Sequence, residues 1–167
     1  MKARAELRNT TPRVHKIVQA FLGVEGAIAA GGLASSLLNL IRMRVSQFNG
    51  CAYCLDMHSK ELRATGETEQ RIYCLDAWRE TPFYDDRERA ALAWAEAVTD
   101  LRAGHVPDEV YEDVRRQFTE EEVEVLTAAI AAINVWNRLN ISLRNVPGDY
   151  QPRGRRDEGR EAAALAH

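Results

Sequence analysis

Asn49-Gly50-Cys51-Ala52-Tyr53-Cys54-Leu55-Asp56-Met57-His58 holds two of the chain's three cysteines and one of its four histidines. Asn49-Gly50 is a helix stop, and Cys51 stands where the next helix opens. With 51–65 helical, at about 100° per residue, Cys51, Cys54 and His58 share a face about 60° wide. Leu55, Leu62 and Thr65 fall near that face, whereas Asp56, Lys60 and Arg63 fall roughly opposite. The spacing therefore turns both thiols and the imidazole inward, toward a groove or the edge of a core. A dithiol with a base one turn away points first to redox chemistry.

Outward from this stretch the chain reads as helices. Upstream, Leu37, Leu38, Ile41, Val45 and Phe48 make the apolar stripe of a helix over 34–49, with Asn39, Arg42 and Ser46 as a polar line beside it. Before it, Thr11-Pro12 starts a helix that runs to about Ala30 and stops at Gly31-Gly32. Downstream, 68–78 reads as a short helix. Asp85 with Glu88 is a capping box opening an alanine-rich helix to about Thr99. Pro107-Asp108-Glu109 starts an amphipathic helix ending near Phe118. Thr119 with Glu122 repeats the capping box ahead of the longest apolar segment, 123–144, whose alanines suit a central helix. No segment alternates with period two. The expectation is an all-α bundle of about seven helices over 12–146, with an N-terminal arm (1–11) and a C-terminal tail (147–167). The Ala90–Ala97 stretch and the aromatics Trp78, Phe83 and Tyr84 are read as candidate oligomer surfaces.

Composition narrows the function. The 167 residues suit one domain with a core of its own. A net charge of −3 argues against nucleic acid or an anionic membrane as the main partner. No run of roughly 18 apolar residues is present to span a bilayer. The first 20 residues lack a continuous apolar h-region, which makes the cytoplasm the expected compartment. An odd number of cysteines is not a secreted disulfide framework, and a close pair in a reducing compartment is catalytic or metal-binding more often than structural.

The thiolate is the nucleophile toward peroxides and disulfides. Cys51, at the first turn of a helix, lies where unpaired N–H groups and the macrodipole stabilise negative charge. Cys54 is close enough to form a disulfide with it. His58, one turn beyond Cys54, can take a thiol proton, since an unperturbed imidazole titrates near pH 6.5. The bland alternative is that the two cysteines are small apolar filling. Zinc is the other competitor, with Cys51, Cys54 and His58 as ligands. A structural zinc site wants four, and Cys74, His15, His105 and His167 are scattered. A thioredoxin-type site would need a βαβ pattern beside the motif.

The segments Leu40-Ile-Arg-Met-Arg-Val-Ser-Gln-Phe-Asn-Gly-Cys-Ala-Tyr-Cys-Leu-Asp-Met-His58, Glu67-Thr-Glu-Gln-Arg71, Ala77-Trp-Arg-Glu-Thr-Pro-Phe83, Glu88-Arg-Ala-Ala-Leu-Ala-Trp94 and Ile133-Asn-Val-Trp-Asn-Arg-Leu139 resemble the AhpD-like alkylhydroperoxidases of the carboxymuconolactone decarboxylase superfamily. The likeness covers about residues 15–145, and Cys-X-X-Cys-X-X-X-His is its specific part. It implies an all-helical homo-oligomer, commonly a trimer or hexamer, that reduces hydroperoxides through paired thiols. No cofactor is implied beyond an external dithiol reductant. Carried over by position, Cys54 is the peroxidatic thiol, Cys51 its resolving partner and His58 part of the proton relay. The helix-dipole argument favours Cys51 as the more acidic thiol instead. Two positions depart from the family pattern. Asn39 stands where a relay glutamate is expected, and Tyr53 where a histidine precedes the second cysteine. Asn39 can hydrogen-bond His58 or water but cannot take up a proton. Asn134 and Asn137 are candidates to line the same pocket or to satisfy buried groups. The leading expectation is a thiol-dependent hydroperoxide reductase. The alternatives are a non-catalytic redox sensor or binding module on the same scaffold, a cofactor-free decarboxylase, or a zinc-binding protein.

Overall fold

The capping signals translate directly into helix starts. In the computed structural model, which describes residues 2–5, 7 and 11–152, seven α-helices follow one another: α1 (Pro12–Ala30), α2 (Ser35–Asn49), α3 (Ala52–Ala64), α4 (Glu69–Cys74), α5 (Asp86–Thr99), α6 (Asp108–Gln117) and α7 (Glu120–Leu143). Short 3-10 helices occupy Leu75–Glu80 and Leu101–Ala103, and the described residues contain no strand. Asp85 and Thr119 cap α5 and α7 with reciprocal capping boxes, as their Glu88 and Glu122 partners require.

α2 is the helix on which the bundle is assembled, because two of its faces are apolar. Leu38, Ile41 and Val45 enter a cluster with Ala91, Trp94 and Ala95 of α5 and Leu126, Ile130 and Ile133 of α7. Leu40 and Met43 face a second cluster with Leu62 of α3, Ile72 of α4, and Leu75, Trp78, Tyr84 and Leu92. α7 packs against α1, α2, α3, α5 and α6, the central position its alanines implied. At the end of α1, Gly31 lies so close to α7 that a Cβ there would come within 2.7 Å of a Val125 methyl.

Two expectations are corrected. The helix expected over 68–78 ends at Cys74 and tightens into the 3-10 helix Leu75–Glu80, with non-helical backbone at Ala77. Three residues per turn eclipse i and i+3, which carries both Leu75 and Trp78 into the second cluster. The proposed oligomer surfaces are largely interior. Ala90, Ala91, Ala95, Trp78 and Tyr84 are buried within the chain itself, because the alanines let α5 approach its neighbours closely. The terminal segments are partly placed. Arg4 and Ala5 of the expected arm donate backbone N–H bonds to the Leu143 carbonyl. Gly148 and Tyr150 of the expected tail are bonded to α3, and 153–167 fall outside the described residues.

Arg44 is a buried cation that the helical stripe did not reveal. It donates to Glu96 on α5 at 2.7 Å and also binds Gln47 and Asp76. The same carboxylate accepts Trp78 Nε1 at 2.8 Å and Arg79 at 2.5 Å. Burial pushes the Glu96 carboxyl up, but the Trp78, Arg79 and Arg44 donors outweigh it and hold the carboxyl below the usual 4.5. A carboxyl whose folded value lies below its unfolded value stabilises the fold above the unfolded value and loses that contribution as pH falls through the folded one. Glu96→Gln should therefore flatten the acid limb of a pH–stability curve below about pH 4.5. Thermal melts from pH 7 to pH 3 check this, and an acid limb identical to that of the wild type would refute it.

Candidate active site

The α2–α3 corner places the two sulfurs. Gly50 ends α2 at φ +68°, a left-handed conformation that glycine adopts without a Cβ penalty, and Cys51 N–H turns back to the Ser46 carbonyl at 3.0 Å. Cys51 is consequently the N-cap of α3 rather than its first helical residue, with extended backbone. Its sulfur accepts the Cys54 N–H at 3.4 Å, the role a serine or aspartate oxygen usually fills. Cys51 and Cys54 form a disulfide, with Cα atoms 5.4 Å apart. Cys74 is a half-buried free thiol.

A ladder of amides holds this corner to α7. Asn49 Nδ2 donates to both Asn134 Oδ1 and Asn137 Oδ1 at 2.9 Å, and Asn137 Nδ2 donates to Ser46 Oγ at 3.1 Å. Asn134 and Asn137 thus satisfy buried polar groups at the corner. Asn140, one turn further along α7, reaches the sulfurs: its Nδ2 lies 3.5 Å from Cys54 Sγ and donates to the Trp136 carbonyl at 2.8 Å. Asn145 Nδ2 donates to Asn140 Oδ1 at 2.7 Å, fixing the side-chain amide. Asn137 is fully buried, so Asn137→Ala leaves bonding groups of Asn49 and Ser46 unmatched. We expect a loss of about 1–3 kcal/mol, read from the denaturation midpoint; a variant as stable as the wild type would contradict the clamp.

His58 lies one turn beyond Cys54 and is 3% exposed. Its Nδ1 is 2.8 Å from Glu61 Oε2, and its Nε2 is buried with no hydrogen-bond partner among the described residues. The other Glu61 oxygen accepts the Tyr150 hydroxyl at 2.5 Å. Burial raises the Glu61 carboxyl, yet the bond from His58 and its charge, the Tyr150 hydroxyl and the Arg42 guanidinium together hold it below the usual 4.5.

The five residues singled out from the sequence are distributed unevenly. Cys51, Cys54 and His58 are each buried, the cysteines at the start of α3 and His58 one turn beyond Cys54. Tyr53 is half-buried beside Cys54 in sequence. Asn39 is not bonded to His58; its Oδ1 receives Arg42 at 3.4 Å, and Arg42 is paired with Glu25 of α1 at 2.6 Å. Glu61, Asn140 and Tyr150 were missed. Glu61 had a signal, since a carboxylate three residues after a histidine is its neighbour on a helix. Asn140 continues the Asn134–Asn137 row. Tyr150 carried no local signal. Among the described residues no group of three or more His, Cys, Asp or Glu side chains is arranged to hold a metal ion. A surface cleft of about 400 Å³ lined in part by Met43, Leu55, Ile72 and Tyr73 contains none of the site residues.

The model of the carboxymuconolactone decarboxylase family matches residues 12–97, which include both cysteines and His58. The chain is 51% identical over 106 residues to YdfG, an uncharacterised protein of Bacillus subtilis, covering 64% of this chain and 72% of that one. A protein of unknown function from Agrobacterium tumefaciens, provisionally assigned to antioxidant defence as AhpD, superposes with a TM-score of 0.84 at 38% identity, over 89% of this chain and all of the other. The debrominase Bmp8 superposes with a TM-score of 0.73 at 26% identity, over 82% of this chain and 74% of the other. The chain is an AhpD-like member of the carboxymuconolactone decarboxylase family.

Proposed function

We propose that the protein is a thiol-dependent hydroperoxide reductase. The observation that carries this reading is the Cys51–Cys54 disulfide at the N-terminus of α3 with His58 buried one turn beyond Cys54 on the same helix. In the reduced protein His58 takes the Cys54 thiol proton, and the thiolate attacks the terminal peroxide oxygen. The O–O bond breaks, the alcohol leaves with a proton, and Cys54 becomes a sulfenic acid. The Cys51 thiol then attacks that sulfur, releasing water and forming the disulfide. An external dithiol returns two electrons and two protons and is itself oxidised to a disulfide. Neither sulfur is open to solvent in the disulfide form, so reduction requires a local opening at the α2–α3 corner.

The likeness to a debrominase favours one second reading, in which the same dithiol reduces an organic bromide. Two thiols and R–Br would give R–H, bromide, a proton and the disulfide, with identical protein bookkeeping. One experiment separates the readings. Reduced protein is mixed with a stoichiometric alkyl hydroperoxide or with a brominated aromatic, and free thiols, alcohol and bromide are measured. Loss of two thiols per hydroperoxide, repeated on addition of dithiol, supports the peroxidase. Bromide release without hydroperoxide turnover favours the second reading, and one oxidation that dithiol cannot make catalytic favours a redox sensor. No thiol loss with either reagent would refute both enzymatic readings.

A further inference from the structure

The position expected to supply a relay carboxylate is Asn39, which accepts from Arg42 and is not bonded to His58. A carboxylate is nevertheless bonded to the imidazole. Glu61 follows His58 by three residues on α3, and its Oε2 lies 2.8 Å from Nδ1. A carboxylate can only accept, so Nδ1 carries the hydrogen in this bond. In the neutral ring that leaves Nε2 as the bare acceptor, and Nε2 is the buried nitrogen without a partner among the described residues.

Glu61 is held in turn. Tyr150 donates to its second oxygen at 2.5 Å. Tyr150 is delivered by a segment stitched along α3 at two residues: Lys60 Nζ donates to the carbonyls of Gly148 at 2.8 Å and Tyr150 at 3.1 Å, and Asp56 accepts the Gly148 N–H at 3.0 Å. Lys60 and Asp56 also pair with each other at 2.9 Å. Asp56 and Lys60, on the face of α3 roughly opposite the thiols, thus anchor the C-terminal segment. The charged and titratable groups around Glu61 are His58 on its own helix, Arg42 of α2 with its partner Glu25 of α1, and Tyr150 on the segment. α7 meets the sulfurs with Asn140, which does not titrate.

We propose that Glu61 and Tyr150 are the positioning residues of the dithiol site: Glu61 fixes the His58 tautomer that leaves Nε2 to accept the Cys54 proton, and Tyr150 fixes Glu61. This rests on the reading that His58 activates Cys54, and it supplies the carboxylate that Asn39 cannot. Ionised Glu61 also stabilises the imidazolium formed when the thiol gives up its proton, so its removal makes the thiolate harder to form.

The test follows the rate of thiol alkylation by iodoacetamide against pH in the fully reduced protein, which needs no hydroperoxide. Glu61→Gln, nearly isosteric, should move the midpoint of the profile up by about one pH unit and slow alkylation at pH 7 about tenfold, one pKa unit being a factor of ten. Tyr150→Phe should shift it in the same direction by less, about two- to threefold at pH 7, and Glu61→Asp should recover part of the rate. In a His58→Gln background, Glu61→Gln should have no further effect. A profile that falls uniformly without moving its midpoint, or an undiminished Glu61 effect without His58, would overturn the proposal. Tyr150→Phe removes only a hydroxyl and carries the test alone if Glu61→Gln does not fold; a midpoint unchanged from the wild type would then overturn it. A shifted profile in a protein that reduces no hydroperoxide would leave this inference standing and remove the peroxidase reading.

Discussion

Cys54→Ser is expected to abolish hydroperoxide-dependent disulfide formation, lowering turnover on the order of 10³-fold or more, as loss of an essential nucleophile does. Cys51→Ser should behave differently. It keeps the thiol one turn from His58, so a single equivalent of hydroperoxide should still oxidise Cys54 to a sulfenic acid that dimedone traps, while catalytic turnover stops for want of a resolving thiol. The two arguments about which thiol reacts first are thereby set against each other. Cys51 is the N-cap of α3, where unpaired N–H groups favour its thiolate, whereas Cys54 has His58 one turn on and Asn140 at 3.5 Å. Mass spectrometry of the dimedone adducts in the two variants decides between them. A trapped sulfenic acid in Cys54→Ser and none in Cys51→Ser would reverse the roles.

Arg44→Met is expected to cost about 3 kcal/mol of folding stability, the low end for breaking one partner of a buried ion pair. For a domain of this size that is a drop of roughly 6–12 °C in Tm. Arg44 and Glu96 have side chains only 10% and 13% exposed. Removing the guanidinium leaves a largely buried carboxylate with Trp78 and the more exposed Arg79 as donors. The Asp76 pair adds little, since that carboxylate is 76% exposed and screened by water. If desolvated charge is the cause, Arg44→Met combined with Glu96→Leu should recover much of the loss, because an apolar pair leaves nothing unpaired. Urea denaturation of both variants checks this; an Arg44→Met midpoint within about 1 kcal/mol of wild type would show that the network is incidental.

Much of the fold was legible because its signals are local. Asp85 with Glu88 and Thr119 with Glu122 satisfy helix-end N–H groups through residues three apart, and Gly50 supplies the positive φ that ends α2. The 3-10 turn at Leu75–Glu80 was not legible, since it is chosen by the need to bury Leu75 and Trp78 together. The oligomer surfaces were misplaced for a related reason: alanines and aromatics permit close packing but do not say whether the neighbour belongs to the same chain.

The candidate site divides along the same line. Cys51, Cys54 and His58 follow from spacing on one helix, a geometry that the 3.6-residue period imposes before any packing occurs. Glu61 belongs to that helix too, and its bond to His58 is an i,i+3 contact the sequence contained. Only the tertiary structure brings Asn140 to Cys54, pairs Arg42 with Glu25, and returns Tyr150 to Glu61 across 89 residues. Those contacts join positions distant in the chain, and they exist only where packing of α2, α3 and α7 and the anchoring of the C-terminal segment on Asp56 and Lys60 hold them. The sequence by itself determined that a dithiol, an imidazole and Glu61 lie on one short stretch of chain; the fold decided what is brought to them, Asn140 to Cys54 and Tyr150 to Glu61.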